Sequence, residues 1–145
     1  MGEVRSCTFP AGTYYIGDPS YVLEDHQSDY GDEGVVEVAP DNSQMIVAAS
    51  ATALCAGGDS FAFYYTALGE GCFCGTDDRE YCVDSGCIGI VPASLVKEGA
   101  RARVEQHGLG TFHQFHGDVT FSVDELGTFC ITCGADKFDL AIFTR

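Results

Sequence analysis

An all-β fold is what this chain predicts, and three observations carry it. Apolar residues recur with a period of two in short stretches. Clusters of Gly, Pro, Asn and Asp separate those stretches, and only one short segment carries helix start and stop signals. The 145 residues include 18 glycines, enough to punctuate strands at short intervals as sandwiches and barrels require. The expectation is a single compact β-rich domain over residues 1–145, a sandwich or partly open barrel with one short helix near residues 92–98.

Each element has its own reason. Thr13-Tyr14-Tyr15-Ile16 reads as a strand that stops at the turn-forming Gly17-Asp18-Pro19. The acid-rich stretch Glu24 to Gly34, with Asp25, Asp29, Asp32 and Glu33, reads as a solvated loop. Val35 to Val38 and Met45 to Ala49 flank Pro40-Asp41-Asn42-Ser43, a hairpin connection. Phe61, Phe63 and Tyr65 alternate with Ala62 and Tyr64, a pattern suited to a pleated surface. Pro92 suits a first helical position and Gly99 suits a stop, which predicts one or two helical turns between them. Val119 to Val123, Thr128 to Cys133 and Phe138 to Thr144 read as three strands joined by short Gly- and Asp-containing links, a meander.

Charge and apolar patterning bound the function. The chain carries 22 acidic against 7 basic residues, a net charge of -15, and no Lys or Arg lies between Ser6 and Asp78. Phosphate contacts need Lys and Arg to displace counterions, so direct nucleic-acid binding by the first half is disfavoured, as is an anionic membrane surface. Partners that fit the field are a small molecule, a cation or a basic protein surface; surplus acid also keeps a protein soluble. No apolar run approaches the roughly 18 residues of a membrane span, and no secretory leader is expected, which points to a cytoplasmic protein.

Eight cysteines are many for this length. In a reducing compartment they read as buried thiols or metal ligands; in an oxidising one, as disulfides. Cys130-Ile131-Thr132-Cys133-Gly134 has the spacing of a zinc knuckle, with Cys72 and Cys74, two residues apart on one strand face, as the second pair. Cys82 with Cys87, or His113 with His116, are other partners. Regular strand geometry sets Cys130 and Cys133 on opposite faces, and His113 and His116 likewise, which weighs against joint chelation. Redox chemistry at Cys130 and Cys133 is a lesser alternative.

Several enzyme signatures are absent. No Gly-x-Ser-x-Gly elbow surrounds Ser85, and no phosphate-binding Gly-rich loop or dinucleotide fingerprint opens a helix. Counting a calcium loop from Asp25 puts Tyr30 where Gly is needed and Val36 where Glu is needed. What remains is a set of acidic turns: Asp18 in Gly17-Asp18-Pro19, Glu70 in Gly69-Glu70-Gly71, and Asp84 before Ser85-Gly86. A carboxylate on a glycine turn can serve a metal, a hydroxyl-rich ligand or a general base; it can equally make the turn itself.

Two of these segments resemble the motifs of a group of small uncharacterised proteins of bacteria and their phages. Tyr14-Tyr15-Ile16-Gly17-Asp18-Pro19-Ser20-Tyr21-Val22 is similar to that group's opening motif, where Cys is usual in place of Ser20. Gly69-Glu70-Gly71 followed by Tyr81-Cys82-Val83-Asp84-Ser85-Gly86-Cys87-Ile88-Gly89-Ile90-Val91-Pro92 is similar to its central motif, where the first triplet is commonly Gly-Asp-Gly. The resemblance covers residues 12–96 and implies no established activity. It directs attention to Asp18, Glu70 and Asp84, which fall at the acidic motif positions.

The expected function is a non-enzymatic small-ligand or protein-binding module of bacterial or phage accessory type, monomeric or homodimeric. Its ligand would contact Asp18, Tyr21, Glu70, Tyr81, Asp84 and Ser85. One alternative is a metal-dependent hydrolase using Asp18, Glu70 and Asp84 around a divalent cation. Another is a structural or interaction protein stapled by zinc at Cys130, Cys133, Cys72 and Cys74.

Overall fold

The computed structural model describes residues 5–24, 33–38, 44–46 and 59–144. Strands there are β1 (Arg5–Phe9), β2 (Gly12–Gly17), β3 (Gly34–Val38), β4 (Gln44–Ile46), β5 (Asp59–Tyr65) and β6 (Gly71–Cys74). They continue with β7 (Glu80–Val83), β8 (Cys87–Pro92), β9 (Thr111–Phe115), β10 (Val119–Val123), β11 (Thr128–Cys133) and β12 (Phe138–Phe143). One α-helix, α1 (Ala100–His107), lies between β8 and β9. Most of the acidic loop, the Pro40-to-Ser43 connection and the end of the Met45-to-Ala49 stretch lie outside the described residues.

All strand pairs are antiparallel. One sheet has the order β1-β10-β11-β12, a second has the order β4-β3-β5-β8-β2-β9, and β6 with β7 makes a separate ribbon. The C-terminal meander is present as expected, and β1 completes its sheet by pairing with β10, Cys7 opposite Phe121. The sheets are open, so the architecture is a sandwich and not a closed barrel.

The six-stranded sheet is covered on both faces, which explains why its strands are apolar at successive positions. On one side Tyr14, Ile16, Ala62, Tyr64, Ile88 and Ile90 meet the four-stranded sheet and the ribbon, whose inward residues include Phe121, Phe129, Ile131, Phe73 and Tyr81. On the other side Tyr15, Phe61, Phe63 and Val91 pack beneath Val22, Leu23, Leu95, Ala100 and Val104. The alternation in β5 therefore sends Phe61 and Phe63 to one core and Ala62 and Tyr64 to the other.

The helix lies later than expected. Residues Ala93–Leu95 form only a 3₁₀ turn, closed by Val96 N–H donating to the Ala93 carbonyl at 3.1 Å. Gly99 does not end a helix. It stands at φ +82°, immediately before α1, in a conformation that glycine alone adopts without strain. Good helix formers follow, Ala100 and Val104 face the core at i and i+4, and Gly108 closes the helix at φ +65°.

The turn after α1 runs tightly across β2. Tyr15 O–H sits against the Leu109 carbonyl at 2.5 Å, and a Cβ added to Gly110 would lie 2.6 Å from the Ile16 carbonyl oxygen. This close approach sets β9 on the sheet edge with α1 above it. Among the described residues no helix is long and apolar enough to cross a membrane.

Candidate functional site

Asp18 is fully buried at the end of β2, and four hydrogen bonds converge on its carboxylate. Oδ1 accepts from Ser20 N–H at 2.9 Å and from the Ser85 hydroxyl at 2.7 Å. Oδ2 accepts from Asp84 N–H at 2.8 Å and Ser85 N–H at 2.9 Å. The turn-making reading of this aspartate is thus half of its role, since it caps the 3₁₀ turn Pro19–Tyr21. The other half is a latch onto the β7–β8 turn, more than 60 residues away. Gly89 permits it: a Cβ there would meet the Ala62 carbonyl oxygen at 2.6 Å and Pro19 Cγ at 2.7 Å. The Gly17-Asp18-Pro19 and Asp84-Ser85-Gly86 turns thus meet at this latch.

The expected ligand face is consequently reduced. Asp18 has neither exposure nor spare acceptor geometry for a ligand or metal, and Ser85 spends its hydroxyl and its amide on Asp18. Tyr21 and Asp84 do lie beside them, Tyr21 O–H donating to Asp84 Oδ2 at 2.8 Å. Burial first, then that hydrogen bond, pushes the Tyr21 phenol well above its ordinary range. Exposed Glu70 sits on the neighbouring turn, its N–H 3.7 Å from where a Gly86 Cβ would stand.

Tyr81 points elsewhere. It is buried between the ribbon and β9, and its O–H donates to Asp77 Oδ2 at 2.6 Å. Its oxygen is 3.2 Å from Thr111 Oγ1, which is 2.9 Å from His113 Nε2. The Tyr81 proton is committed to Asp77, so Thr111 O–H donates to Tyr81 and His113 Nε2–H donates to Thr111. A neutral imidazole has one N–H, which leaves Nδ1 as an acceptor. Burial holds His113 below the ordinary histidine range; Asp77 opposes that shift and Arg79 adds to it. Its ring stands edge-on to Phe138 at 4.7 Å.

This chain of bonds backs a cleft of about 270 Å³ between α1 and β9, lined by Arg79, Arg101, Gly110, Thr111, Phe112 and His113 among others. Arg101 lies over the Phe112 ring at 4.7 Å and bonds Glu105 at 3.0 Å. A second recess of about 540 Å³ shares Arg101, Glu105 and Phe112 and has Lys97 on its wall. Sequence reasoning missed Asp77, Arg79, Arg101 and Thr111, and weighed His113 only as a metal ligand together with His116. They come from the ribbon turn, the helix and the edge strand, and no local motif joins them.

The cysteines are not assembled as the zinc-knuckle reading required. Cys133 faces the core beside Ile131, Cys130 takes the opposite face of β11, and Cys72 is bonded to Cys82 in a disulfide across the ribbon. Cys7 and Cys87 are buried thiols, and burial pushes Cys87 up to about 11. His116 is exposed beyond the end of β9 and pairs with Asp136 at 2.7 Å, away from His113. Hydrogen bonds from His116, backbone first, hold Asp136 below the usual carboxylate range.

Comparison of the chain with protein-family models, with curated proteins and with solved structures finds no match.

Proposed function

We propose that the chain is a non-enzymatic binding module of bacterial or phage accessory type, resident in the cytoplasm, whose ligand is a small molecule seated in the α1–β9 cleft. The observation that supports this most is the lining. Two of the seven basic residues, Arg79 and Arg101, stand with one carboxylate, Glu105, an aromatic wall, Phe112, and a neutral histidine whose Nδ1 is an acceptor. Concave sites with an apolar wall and a few convergent polar groups are where small ligands bind. The cationic ligands expected from net charge alone give way to a molecule bearing one acidic group. Thr111 Oγ1 is buried and committed to Tyr81 and His113, so it is not a free nucleophile; this favours binding over turnover.

A second reading rests on the neighbouring turns of Glu70 and Asp84, two exposed carboxylates that suit a cation or a basic protein surface. The hydrolase reading loses Asp18, which the latch consumes.

Amide-resolved NMR titration separates these readings. With benzoate and inorganic phosphate as probes, shifts are expected at Gly108, Gly110, Thr111 and His113, and Arg79→Gln should weaken them about tenfold. Shifts confined to Glu70 and Asp84–Gly86, with magnesium or polylysine, would replace the cleft by the acidic face.

A further inference from the structure

We propose that reduction of the Cys72–Cys82 disulfide converts the outer face of the β6–β7 ribbon into a zinc site, with Cys72, Cys74 and Cys82 as thiolates and Glu80 as the fourth donor.

The register makes the juxtaposition. Cys72 stands opposite Cys82, and Cys74 stands opposite Glu80, so all four occupy adjacent positions of one face. Intervening Phe73 and Tyr81, with Val83, point into the core; Cys72, Cys74 and Glu80 are exposed and Cys82 is half-exposed. The ligand atoms of Cys72, Glu80 and Cys82 all lie within 4.8 Å of one another. Tetrahedral zinc with Zn–S bonds of about 2.3 Å sets its sulfurs about 3.8 Å apart; Cys74 lies outside that group of three, so its exposed side chain has to turn toward them to complete the site.

A disulfide alone accounts for only part of this arrangement. It uses Cys72 and Cys82 but leaves Cys74 as an exposed free thiol on the same face. Placing a carboxylate among thiols is unfavourable once the thiols ionise, unless a cation joins them. The donors also keep their scaffold when the disulfide opens. The ribbon is anchored by its buried residues and by Thr76 N–H to the Ala141 carbonyl of β12 at 2.9 Å, and its turn is closed by Gly75 N–H to the Arg79 carbonyl at 2.9 Å.

The chemistry balances with a dithiol as reductant. Its thiolate attacks one sulfur of the pair and forms a mixed disulfide, and its second thiol displaces the protein sulfur. Two electrons and two protons pass to Cys72 and Cys82, and the dithiol leaves as its own disulfide. Zinc then takes three thiolates and the Glu80 carboxylate, and the three thiol protons go to solvent. In a reducing cytosol the face is open to metal; under oxidation it closes as the disulfide.

Cobalt(II) is the probe, because thiolate-to-cobalt charge transfer and tetrahedral ligand-field bands report the donors directly. In a full-length background with Cys55→Ser, at the cysteine outside the described residues, and Cys130→Ser, at the half-buried thiol of β11, the dithiol-reduced protein, freed of reductant under anaerobic conditions, should bind one cobalt per chain. Zinc should displace it, and the oxidised protein should bind none. Cys74→Ser should lower the charge-transfer intensity by about a third and weaken binding at least about tenfold. Glu80→Gln should weaken binding while leaving the thiolate intensity in place. The proposal falls if the reduced chain binds no cobalt, if the oxidised chain binds it equally, or if Cys74→Ser leaves the spectrum unchanged. Loss of the β-sheet circular dichroism on reduction alone would also overturn it, because the donors would then have no scaffold.

Discussion

Replacing Asp18 by Asn keeps the size of the side chain and removes the charge on which four donors converge. Hydrogen bonds to a charged group are each worth about 1.5–3 kcal/mol, and a buried donor left without a partner costs a comparable amount. The amide oxygen of Asn can still serve Ser20 N–H and the Ser85 hydroxyl. Its NH2 would then face Asp84 N–H and Ser85 N–H, donor against donor. Asp84 and Ser85 are exposed residues whose amides recover some hydration, which reduces the loss to about 2–3 kcal/mol. Asp18→Ala, which also abandons the 3₁₀ cap, should lose about 3–4 kcal/mol. Set against a typical domain stability of about 5–15 kcal/mol, either change is large. The assay is urea unfolding followed by circular dichroism, where Asp18→Asn should move the midpoint down by about 1–2 M with an unchanged slope. Amide exchange should accelerate at Asp84 and Ser85 before it does in β10 and β11. A loss under about 1 kcal/mol would refute the account of Asp18 as a latch.

Other expectations follow from the same geometry. His113 is held below its ordinary pKa, so the unfolded chain takes up a proton near pH 6.5 where the folded chain does not. Stability should be full above that pH and fall as pH drops below it; His113→Gln should flatten this part of the urea-midpoint profile, and parallel profiles would contradict it. Asp136 has a lowered pKa, so its contribution is present above pH 3.8 and lost on further acidification; His116→Ala removes the imidazole bond but keeps the backbone N–H, so it should reduce this part of an acid-unfolding series without abolishing it. Gly89→Ala drives a methyl group into the Ala62 carbonyl and Pro19, and should cost about 1–3 kcal/mol by urea unfolding. Among the described free thiols, alkylation of the native protein should mark Cys74 first; labelling of Cys7 or Cys87 before unfolding would contradict their burial.

How far the sequence reaches can be argued residue by residue. The meander of β10 to β12 is legible because period-two patterning and short turns are local signals. The two-faced burial of β5 is not, since Phe61 and Ala62 are both apolar and only the layers around them decide which core each enters. Gly99 shows why helix boundaries are hard: a glycine at positive φ serves an entrance as well as an exit. At Asp18 the local half of the hydrogen bonding, to Ser20 N–H, is foreseeable from Asp-Pro-Ser. The bonds from residues 84 and 85 need the tertiary fold. The common face of Cys72 and Cys74 follows from strand period, whereas Cys82 opposite Cys72 needs the ribbon's register. Nothing local could gather Arg79, Arg101 and His113 around one cleft.

The pairing of β1 with β10 has a consequence for how the chain is made. Cys7 and Phe121 are 114 residues apart, as are the donor and acceptor of the bond from the Cys7 thiol to the Phe121 carbonyl. At a synthesis rate of about 5–20 residues per second, β1 waits roughly 6–23 s for its neighbour to be translated. During that interval Cys7 and Phe9, both buried in the finished protein, have no sheet to join. Until β10 emerges, β1 is therefore open to chaperone capture or to pairing with the wrong edge.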